Sequence, residues 1–380
     1  MKISADWIAH PGTQRLLQIL GDAGHRALFV GGCVRNALLN LAVHDVDIAT
    51  EADPETVYTL AQGAGFRVVL TGIAHGTVTV FANGVAHEVT TYRQDVSTDG
   101  RHAVVSFTKS ITEDAARRDF TMNALYADAS GSVIDPLNGL KDVSARHVRF
   151  VGDAQARIRE DYLRILRFFR FFAVYGDQNS GIDADGLAAC ASNAAGIDGL
   201  SAERIGQEMR KLLAAPDPSM AVASMAQAGI LARVLPGADA TNLGVLIHLE
   251  SGATPRWQRR LAVMGGEDIA KRLALSNVEI GTLGRIRNEI GTVLTPAALG
   301  WRLGPVEAAD ILLCRAALFS QPLPMDWHNQ IERGCHAQIP VTAADLMPAL
   351  NGPALGEKLR LIEQRWLASD LMLTKAQLLA

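Results

Sequence analysis

Residues 28–35 have the sequence Leu-Phe-Val-Gly-Gly-Cys-Val-Arg, a short apolar run that ends in two glycines and an arginine. The apolar run predicts a buried strand entering a tight turn, and residues 34–41 predict a helix after it. Glycine lets backbone N–H groups approach phosphate oxygens, and a helix N-terminus favours an anion. The stretch therefore predicts a phosphate-binding turn formed by Gly31, Gly32 and Arg35, although a simple turn would have the same pattern.

One helix further on, His44-Asp-Val-Asp-Ile48 places two carboxylates two residues apart. On a strand, residues i and i+2 share a face, so Asp45 and Asp47 would repel each other unless a cation lay between them. Two divalent ions that bridge to a triphosphate would supply that charge, and we expect Mg²⁺ in this role. The alternative is a pair of solvent-facing aspartates on an edge strand.

Two later segments carry polar residues that suit nucleotide binding. Glu88 lies on a later predicted strand and is the candidate third catalytic carboxylate, although a surface arginine could equally be its partner. In residues 117–123, two adjacent arginines and an asparagine can hold a triphosphate and a ribose hydroxyl. We take Arg118, Asp119 and Asn123 as candidates there; the alternative is a solvated basic helix end.

Five segments, in family order, resemble motifs of the bacterial and eukaryotic class of CCA-adding enzymes and their poly(A) polymerase relatives. They are residues 29–36, 45–47, 88–93 and 117–125, and Asp135-Pro136 with Gly139. The resemblance covers about residues 25–215 and implies metal binding by Asp45 and Asp47. It also implies nucleotide contacts by Gly32, Arg35 and Arg118. One position departs from the family, because Asn36 stands where an aspartate is usual and lacks its charge.

A second motif follows at residues 159–170, Arg-Glu-Asp-Tyr-Leu-Arg-Ile-Leu-Arg-Phe-Phe-Arg. Four of its charged residues recur every three positions and would form one stripe on a helix: Asp161, Arg164, Arg167 and Arg170. The family has base-reading residues in a motif that matches Glu160, Asp161 and Arg164, and nucleotide contacts at the positions of Arg167 and Arg170. The alternative is an amphipathic helix with i,i+3 ion pairs.

Cytosine and adenine share a hydrogen-bonding edge that such a motif can recognise. Both present an amino donor beside a ring-nitrogen acceptor, which an aspartate and an arginine would meet. Guanine and uracil present the opposite pattern, and an unpaired buried polar group costs roughly 1–3 kcal/mol. Two such mismatches suffice for strong discrimination without a nucleic-acid template.

The chain has 380 residues, of which 48% are hydrophobic and 20% charged, and its formal net charge is −4. This balance is typical of globular domains and excludes a disordered chain. The four cysteines form no C-x-x-C pair, so neither a zinc site nor a redox motif is indicated. We find no signal peptide, no stretch long enough to span a membrane and no motif for a protein partner, and we therefore expect a cytoplasmic protein.

The strand signals fade after about residue 146, so we predict an α+β fold class. The predicted domains are a head at residues 1–145, a helical neck with the nucleotide-selecting helix at residues 146–215, and a helical body and tail at residues 216–380 that binds tRNA. The resemblance implies that the head is a nucleotidyltransferase of the DNA polymerase β type. Residues 201–213 resemble the next helix of the family, with Arg204 and Lys211 as candidate RNA contacts.

Three segments have clear local predictions. Residues 95–110 are polar and contain glycine, which predicts a mobile loop. Residues 112–127 begin with a threonine and two acidic residues, which predicts one helix. Residues 154–174 predict a single continuous helix.

These features predict an enzyme that adds CCA to the 3′ end of tRNA from CTP and ATP by template-independent, two-metal nucleotidyl transfer. A poly(A) polymerase, or an enzyme that adds only CC or only A, remains a close alternative. A metal-dependent D-x-D glycosyltransferase is the alternative from another class, but it does not require the motif at residues 117–123. A non-catalytic RNA-binding protein would not require intact Asp45 and Asp47.

Overall fold

The computed structural model describes residues 1–73, 76–99, 102–347 and 349–380. This part of the chain divides into two compact units. The first unit comprises Met1–Arg204 with Gln227–Arg233, and the second comprises Ile205–Ala226 with Val234–Ala380. The first unit thus contains the predicted head and most of the predicted neck, and the division at residues 145 and 215 stays a prediction.

The strands of the first unit form a seven-stranded sheet and a separate two-stranded sheet. They are β1 (Ala27–Val30), β2 (Val46–Thr50), β3 (Arg67–Gly72), β4 (Thr77–Ala82), β5 (Val85–Thr91), β6 (Arg93–Asp99), β7 (His102–Phe107), β8 (Tyr126–Ala127) and β9 (Val133–Ile134). The large sheet has the order β3-β4-β5-β2-β1-β8-β9, and β6 pairs with β7. Strands β2 and β5 run parallel, which places Asp47 opposite Glu88. The predicted α+β class is confirmed.

Helices account for most of the remaining described chain. They are α1 (Asp6–Ala9), α2 (Pro11–Asp22), α3 (Gly32–Leu38), α4 (Pro54–Gly63), α5 (Ile111–Ala116), α6 (Gly139–Ser144), α7 (Ala154–Glu160), α8 (Leu163–Tyr175), α9 (Ala184–Ser192), α10 (Ala202–Leu213), α11 (Ser219–Gln227), α12 (Ile230–Val234), α13 (Leu243–Glu250), α14 (Trp257–Met264), α15 (Ile269–Arg272), α16 (Asn277–Ile290), α17 (Pro296–Phe319), α18 (Trp327–His336), α19 (Gly352–Ala368) and α20 (Lys375–Leu379). No helix in the described ranges combines the length and apolarity that a membrane span requires.

A buried apolar cluster supports the strands that carry the predicted site. It consists of Leu28, Val30, Ala49, Tyr92, Ala115, Ala124, Tyr126 and Val151. Burial of a large apolar side chain contributes about 1.5–3 kcal/mol, so this cluster holds the ends of β1, β2 and β8 together. Ala49 lies two residues after Asp47, on the same face of β2. The strand that carries Asp47 is therefore anchored in the buried core.

The loop predicted at residues 95–110 is wrong over residues 95–99 and 102–107, which form strands. Strands β6 and β7 form an antiparallel pair from Arg93, opposite Phe107, to Asp99, opposite His102. The loop prediction also included residues 100–101, which lie outside the described residues. Polar composition suggested a loop, but Val104 and Val105 are β-branched and favour extended backbone.

The single helix predicted at residues 112–127 is also wrong. Helix α5 ends at Ala116, and a short 3₁₀ turn at Thr121–Asn123 leads into β8. Phe120 precedes that turn in an extended conformation. The centre of its ring lies 4.7 Å from that of Phe171 and 5.0 Å from that of Phe150. Burial of this ring outweighs the local preference for helix.

The helix predicted at residues 154–174 is two helices. Asp161 ends α7 with extended backbone (φ −155°, ψ 106°), and α8 begins at Leu163. The Asp161 carboxylate accepts a hydrogen bond from the Leu163 N–H at 3.0 Å, a local contact that competes with helical bonding. Asp161 is therefore not part of the helical stripe that Arg164, Arg167 and Arg170 form on α8.

The second unit contains a buried ion cluster, which we define as Glu250, Arg259, Arg260 and Asp310. Arg259 bonds Glu250 at 2.8 Å and Asp310 at 2.9 Å. Arg260, only 1% exposed, bonds Glu250 at 2.6 Å and donates to the backbone oxygen of Leu213, the last residue of α10, at 2.8 Å. Removing one partner from such a group leaves an unpaired buried charge and costs about 3–5 kcal/mol.

Candidate active site

Three carboxylates converge at one edge of the β2–β5 pair. Asp47 lies half-buried in β2 opposite Glu88 of β5, and Asp45 immediately precedes β2; Glu88 and Asp45 are exposed. Burial, together with the negative charges of Glu88 and Asp45, raises the pKa of Asp47 to about 6, although Arg118 acts in the opposite direction. Within the described residues Glu88 makes no ion pair. The alternative prediction, that Glu88 pairs with a surface arginine, therefore has no support there.

The residues present fit a divalent cation that arrives with a nucleotide. The repulsion that raises the pKa of Asp47 is what a cation would relieve. In the described part of the chain, no three His, Cys, Asp or Glu side chains lie close enough to form a metal site alone. A hard cation bound with a nucleoside triphosphate needs only one or two protein carboxylates, because phosphates and water complete its coordination. Asp45 and Asp47 are the candidate ligands.

The predicted phosphate-binding turn lies between two guanidinium groups. Gly31 precedes α3 with φ 72° and ψ −119°, a conformation that strongly favours glycine. A Cβ atom on Gly31 would lie 3.3 Å from Nη1 of Arg118, and one on Gly32 would lie 3.7 Å from Nη2 of Arg35. The two glycines therefore leave open a positively charged hollow that a side chain would narrow.

Arg118 is held so that one of its nitrogens faces this hollow. Its Nε donates to the Tyr126 hydroxyl at 3.2 Å, and its Nη2 donates to Asp114 at 3.0 Å. Its Nη1 has no hydrogen-bond partner among the described residues. Burial alone would lower the pKa of Arg118, but Tyr126 and Asp114 outweigh burial and raise it. Nη1 is thus the charged donor that remains for a phosphate.

Asp114 is a supporting residue that we assigned from the sequence only to the start of a helix. Its carboxylate accepts hydrogen bonds from Arg117 at 2.8 Å, Arg118 at 3.0 Å and the Tyr126 hydroxyl at 2.6 Å. Burial would raise its pKa, but the charges of Arg118 and Arg117 lower it to about 2. The spacing of Asp114 from the two arginines, i+3 and i+4, was the signal that could have identified it.

We expect Asp114→Asn to destabilise the protein by about 3 kcal/mol at neutral pH, because Arg118 loses a buried charged partner. The pKa of Asp114 is lower in the folded state than its ordinary value of 3.8, so its contribution is present above about pH 4 and is lost as the pH falls towards 2. Urea unfolding of both proteins between pH 7 and pH 2.5 measures this difference. A difference that is constant over this range would contradict the assignment of the stabilisation to the charge.

Arg35 is more enclosed than a simple phosphate ligand would be. It is 6% exposed; Nη2 donates to Asn36 and to the Tyr175 hydroxyl, each at 2.8 Å, and Nη1 donates to Asn123. Its guanidinium carbon lies 4.0 Å from the centre of the Tyr175 ring, and burial lowers its pKa. Asn36 therefore keeps the acceptor that the usual aspartate would supply, without the charge.

Asp119, Asn123 and Arg167 form a second linked group beside Arg35. Asp119 accepts from Nε of Arg167 at 2.9 Å and from the Asn123 amide at 2.8 Å. Each polar atom of the Asn123 side chain therefore has a partner within the protein, and a ribose hydroxyl could use only the second N–H or the second lone pair of the amide. Burial would raise the pKa of Asp119, but Arg167 and these hydrogen bonds lower it to about 2.

The three predicted base-reading residues lie where α7 meets α8. Arg164 donates to Glu160 at 2.5 Å and to the backbone oxygen of Arg157 at 2.8 Å. Asp161 accepts from Arg204 at 2.7 Å. The guanidinium of Arg170 lies 4.7 Å from the centre of the Phe171 ring. The structure thus brings the predicted site residues together in the first unit, while their direct contacts with nucleotide stay predictions.

Comparison with known proteins decides the family. The model described as "Poly A polymerase head domain" matches residues 27–149, and the one described as "Probable RNA and SrmB- binding site of polymerase A" matches residues 181–241. The CCA-adding enzyme of Geobacillus thermodenitrificans (strain NG80-2) is 34% identical over 359 residues, which cover 89% of this chain and 84% of that protein. This chain belongs to the CCA-adding enzyme family.

Two further members show the extent of the similarity. The mitochondrial CCA tRNA nucleotidyltransferase 1 of Mus musculus is 43% identical over 203 residues, 53% of this chain and 47% of that protein. The chain thus spans about half the length of the vertebrate mitochondrial relatives that it matches. The crystal structure of the Bacillus stearothermophilus CCA-adding enzyme in complex with CTP is 30% identical, has a TM-score of 0.74, and covers 94% of this chain and 93% of that one.

The CCA-adding enzyme family consists of metal-dependent nucleotidyltransferases. Membership agrees with the carboxylates of Asp45, Asp47 and Glu88 beside a positively charged hollow. It leaves the glycosyltransferase alternative without support. A choice among CCA, CC-only, A-only and poly(A) addition depends on the product, because the head motifs are shared within the group.

Proposed function

We propose that this chain adds C, C and A to the 3′ end of tRNA, using CTP and ATP and no nucleic-acid template. The observation that carries the proposal is the position of Asp47 opposite Glu88, at an edge where the charge of Arg118 also acts on Asp47. That arrangement combines the carboxylates for metal ions with the cationic donor for a triphosphate. The similarity to CCA-adding enzymes along 89% of the chain supports the same activity.

In the proposed reaction, the 3′-hydroxyl of the RNA attacks the α-phosphate in line and pyrophosphate leaves. Asp45 and Asp47 would hold two Mg²⁺ ions, whose chemistry is to favour the ionised hydroxyl and to neutralise the charge that develops on pyrophosphate. The Gly31–Gly32 turn and Nη1 of Arg118 bind the triphosphate. Glu88, exposed opposite Asp47, orients the incoming hydroxyl.

Asp161 and Arg164 would select the base. The aspartate accepts from the amino group of cytosine or adenine, and the arginine donates to the ring nitrogen beside it. The helical residues 216–380 would bind tRNA. The family model for a probable RNA-binding site, which matches residues 181–241, overlaps the start of this region and supports that assignment in part.

One assay tests the proposed reaction. The purified chain is incubated with tRNA that lacks its 3′-terminal CCA, first with each labelled nucleotide alone and then with all four, and the products are sequenced. We expect CMP addition with CTP alone and a single terminal CCA with the mixture. Runs of AMP would identify a poly(A) polymerase, and a product that stops at CC, or a requirement for tRNA ending in CC, would identify a partial activity.

We also propose Mg²⁺ as the physiological ion and the cytoplasm as the compartment. The hard oxygen ligands of Asp45 and Asp47 suit Mg²⁺ with a triphosphate, and removal of the metal with EDTA followed by addition of Mg²⁺, Mn²⁺ or Ca²⁺ tests this choice. All four cysteines are free thiols, in keeping with a reducing compartment. Fractionation of cells followed by immunoblotting tests the location, since mitochondrial relatives are known.

We expect Glu88→Gln to lower the rate of CMP addition by about 10- to 100-fold, because the amide keeps the size of the side chain but loses the charge opposite Asp47. The melting temperature should change little, since Glu88 is exposed. Single-turnover CMP addition measures the effect, and Glu55→Gln, at the first turn of α4, is a matched control. A rate within about threefold of wild type would remove Glu88 from the site.

A further inference from the structure

Asp161 is fixed by two contacts, of which one comes from a different helix. Its Oδ1 accepts from the Leu163 N–H at 3.0 Å, and its Oδ2 accepts from Nη2 of Arg204 at 2.7 Å. Arg204 lies near the start of α10 and belongs, like Asp161, to the first unit. The Asp161 and Arg204 side chains are 24% and 30% exposed, so the contact is accessible to a ligand.

Arg164 has a corresponding partner of opposite charge. Glu160 accepts from it at 2.5 Å, and the backbone oxygen of Arg157 accepts at 2.8 Å. Asp161 and Arg164 are three residues apart and could otherwise pair with each other, but they make no ion pair in the described structure. Each therefore has a separate partner, and neither neutralises the other.

A carboxylate offers about four lone-pair positions, and the contacts of Asp161 use two of them. The Leu163 N–H fixes where the carboxylate lies, and Arg204 fixes its rotation about the last side-chain bond. The remaining positions can then accept a hydrogen bond from an amino group. Without Arg204, the carboxylate would be free to turn towards Arg164, which would cover both groups that are proposed to recognise the base.

We propose that Arg204 is a positioning residue for nucleotide selection. It holds Asp161 apart from Arg164, so that both side chains stay available to the base. Together they would recognise an edge that has an amino donor beside a ring-nitrogen acceptor, as in cytidine and adenosine triphosphates. This inference rests on the proposed function. A direct RNA contact by Arg204 would instead affect binding of the acceptor tRNA. A purely structural ion pair would affect the addition of all four nucleotides equally.

The test measures kcat/KM for single additions of CTP, UTP, ATP and GTP to tRNA that lacks CCA. The variants are Arg204→Ala and Arg204→Lys, with Arg233→Ala as the matched control, since Arg233 pairs with Asp198 at 2.7 Å in the same unit. We expect Arg204→Ala to lower the CTP-to-UTP ratio by roughly tenfold or more. Lysine should recover part of that loss, and Arg233→Ala should leave the ratio unchanged. If Arg204→Ala does not fold, Arg204→Gln, which is close in size but uncharged, replaces it.

A double-mutant cycle with Asp161→Ala shows whether Arg204 acts through Asp161. In the Asp161→Ala background, Arg204→Ala should not lower the ratio further. Equal losses for all four nucleotides, a raised KM for tRNA with an unchanged ratio, or additive losses in the cycle would each overturn the inference. A wild-type chain that does not prefer CTP to UTP would overturn the proposed function itself, and this inference with it.

Discussion

Replacing Asp47 by asparagine is expected to lower kcat for CMP addition by about three orders of magnitude or more, which corresponds to about 4 kcal/mol of transition-state stabilisation. The substitution keeps the size of the side chain but removes a charged oxygen ligand. We expect neither Asp45, which precedes β2, nor the exposed Glu88 of β5 to replace a ligand at the position of Asp47. Single-turnover addition with labelled CTP at saturating metal measures the loss.

Although Asp47→Asn should be less active, it should be at least as stable as the wild type when no metal is present. The folded-state pKa of Asp47, raised to about 6 by burial and by its acidic neighbours, means that the ionised carboxylate destabilises the fold above that pH. In EDTA at pH 7.5, the variant should therefore melt at the same temperature as wild type or higher, and the difference should disappear below about pH 4. Asp22→Asn, exposed at the end of α2, controls for the loss of one charge. Metal-dependent activity that persists in an Asp45→Asn, Asp47→Asn double variant would refute the two-metal mechanism.

Arg164→Ala is expected to reduce the preference for CTP over UTP by about 2–6 kcal/mol, a factor of roughly 30 or more. Cytosine loses the donor to its ring acceptor, worth roughly 1–3 kcal/mol, and uracil escapes a donor–donor clash of similar size. Incorporation of each of the four nucleotides by wild type and variant measures the change.

A phosphate-binding arginine would behave differently, because its loss would slow all four nucleotides by the same factor. Arg159→Ala is the matched control, since Arg159 is exposed on α7 and donates only to Gln155, at 3.4 Å, among the described residues. Equal fractional losses with Arg164→Ala would assign Arg164 to phosphate binding or to the fold. Base selection by the protein would then lose its main support in this chain.

The features that could be predicted from the sequence depend on local chemistry. Gly31 has a positive φ that follows from its place between a strand and a helix, and Asp47 lies on a strand because Val46 and Ile48 bury the opposite face. The start of a helix also depends on local chemistry, since a side-chain cap and a proline in the first turn both favour it. Pro54 begins α4 after Asp53, whose side chain accepts from the Thr56 N–H.

The remaining features depend on contacts between distant parts of the chain. Arg35 is enclosed because Tyr175, 140 residues later, bonds its guanidinium. Arg167 is paired with Asp119, 48 residues earlier. The break at Asp161 reflects competition between its side chain and the helix for one N–H group, a choice that periodicity does not record. Such partners determine whether a polar residue is free for a ligand.

The buried ion cluster of the second unit constrains how this region can diverge in evolution. Loss of Glu250 alone would remove the carboxylate that pairs with Arg260 and leave Arg259 with Asp310 as its acidic partner. Loss of Arg259 alone would leave Asp310, which is fully buried, with one cationic partner fewer. Each single change would strongly destabilise the fold, although a concerted apolar replacement of all four residues can be neutral or stabilising. These positions should therefore be inherited as a block, and a pairwise mutational scan should record strong epistasis among them.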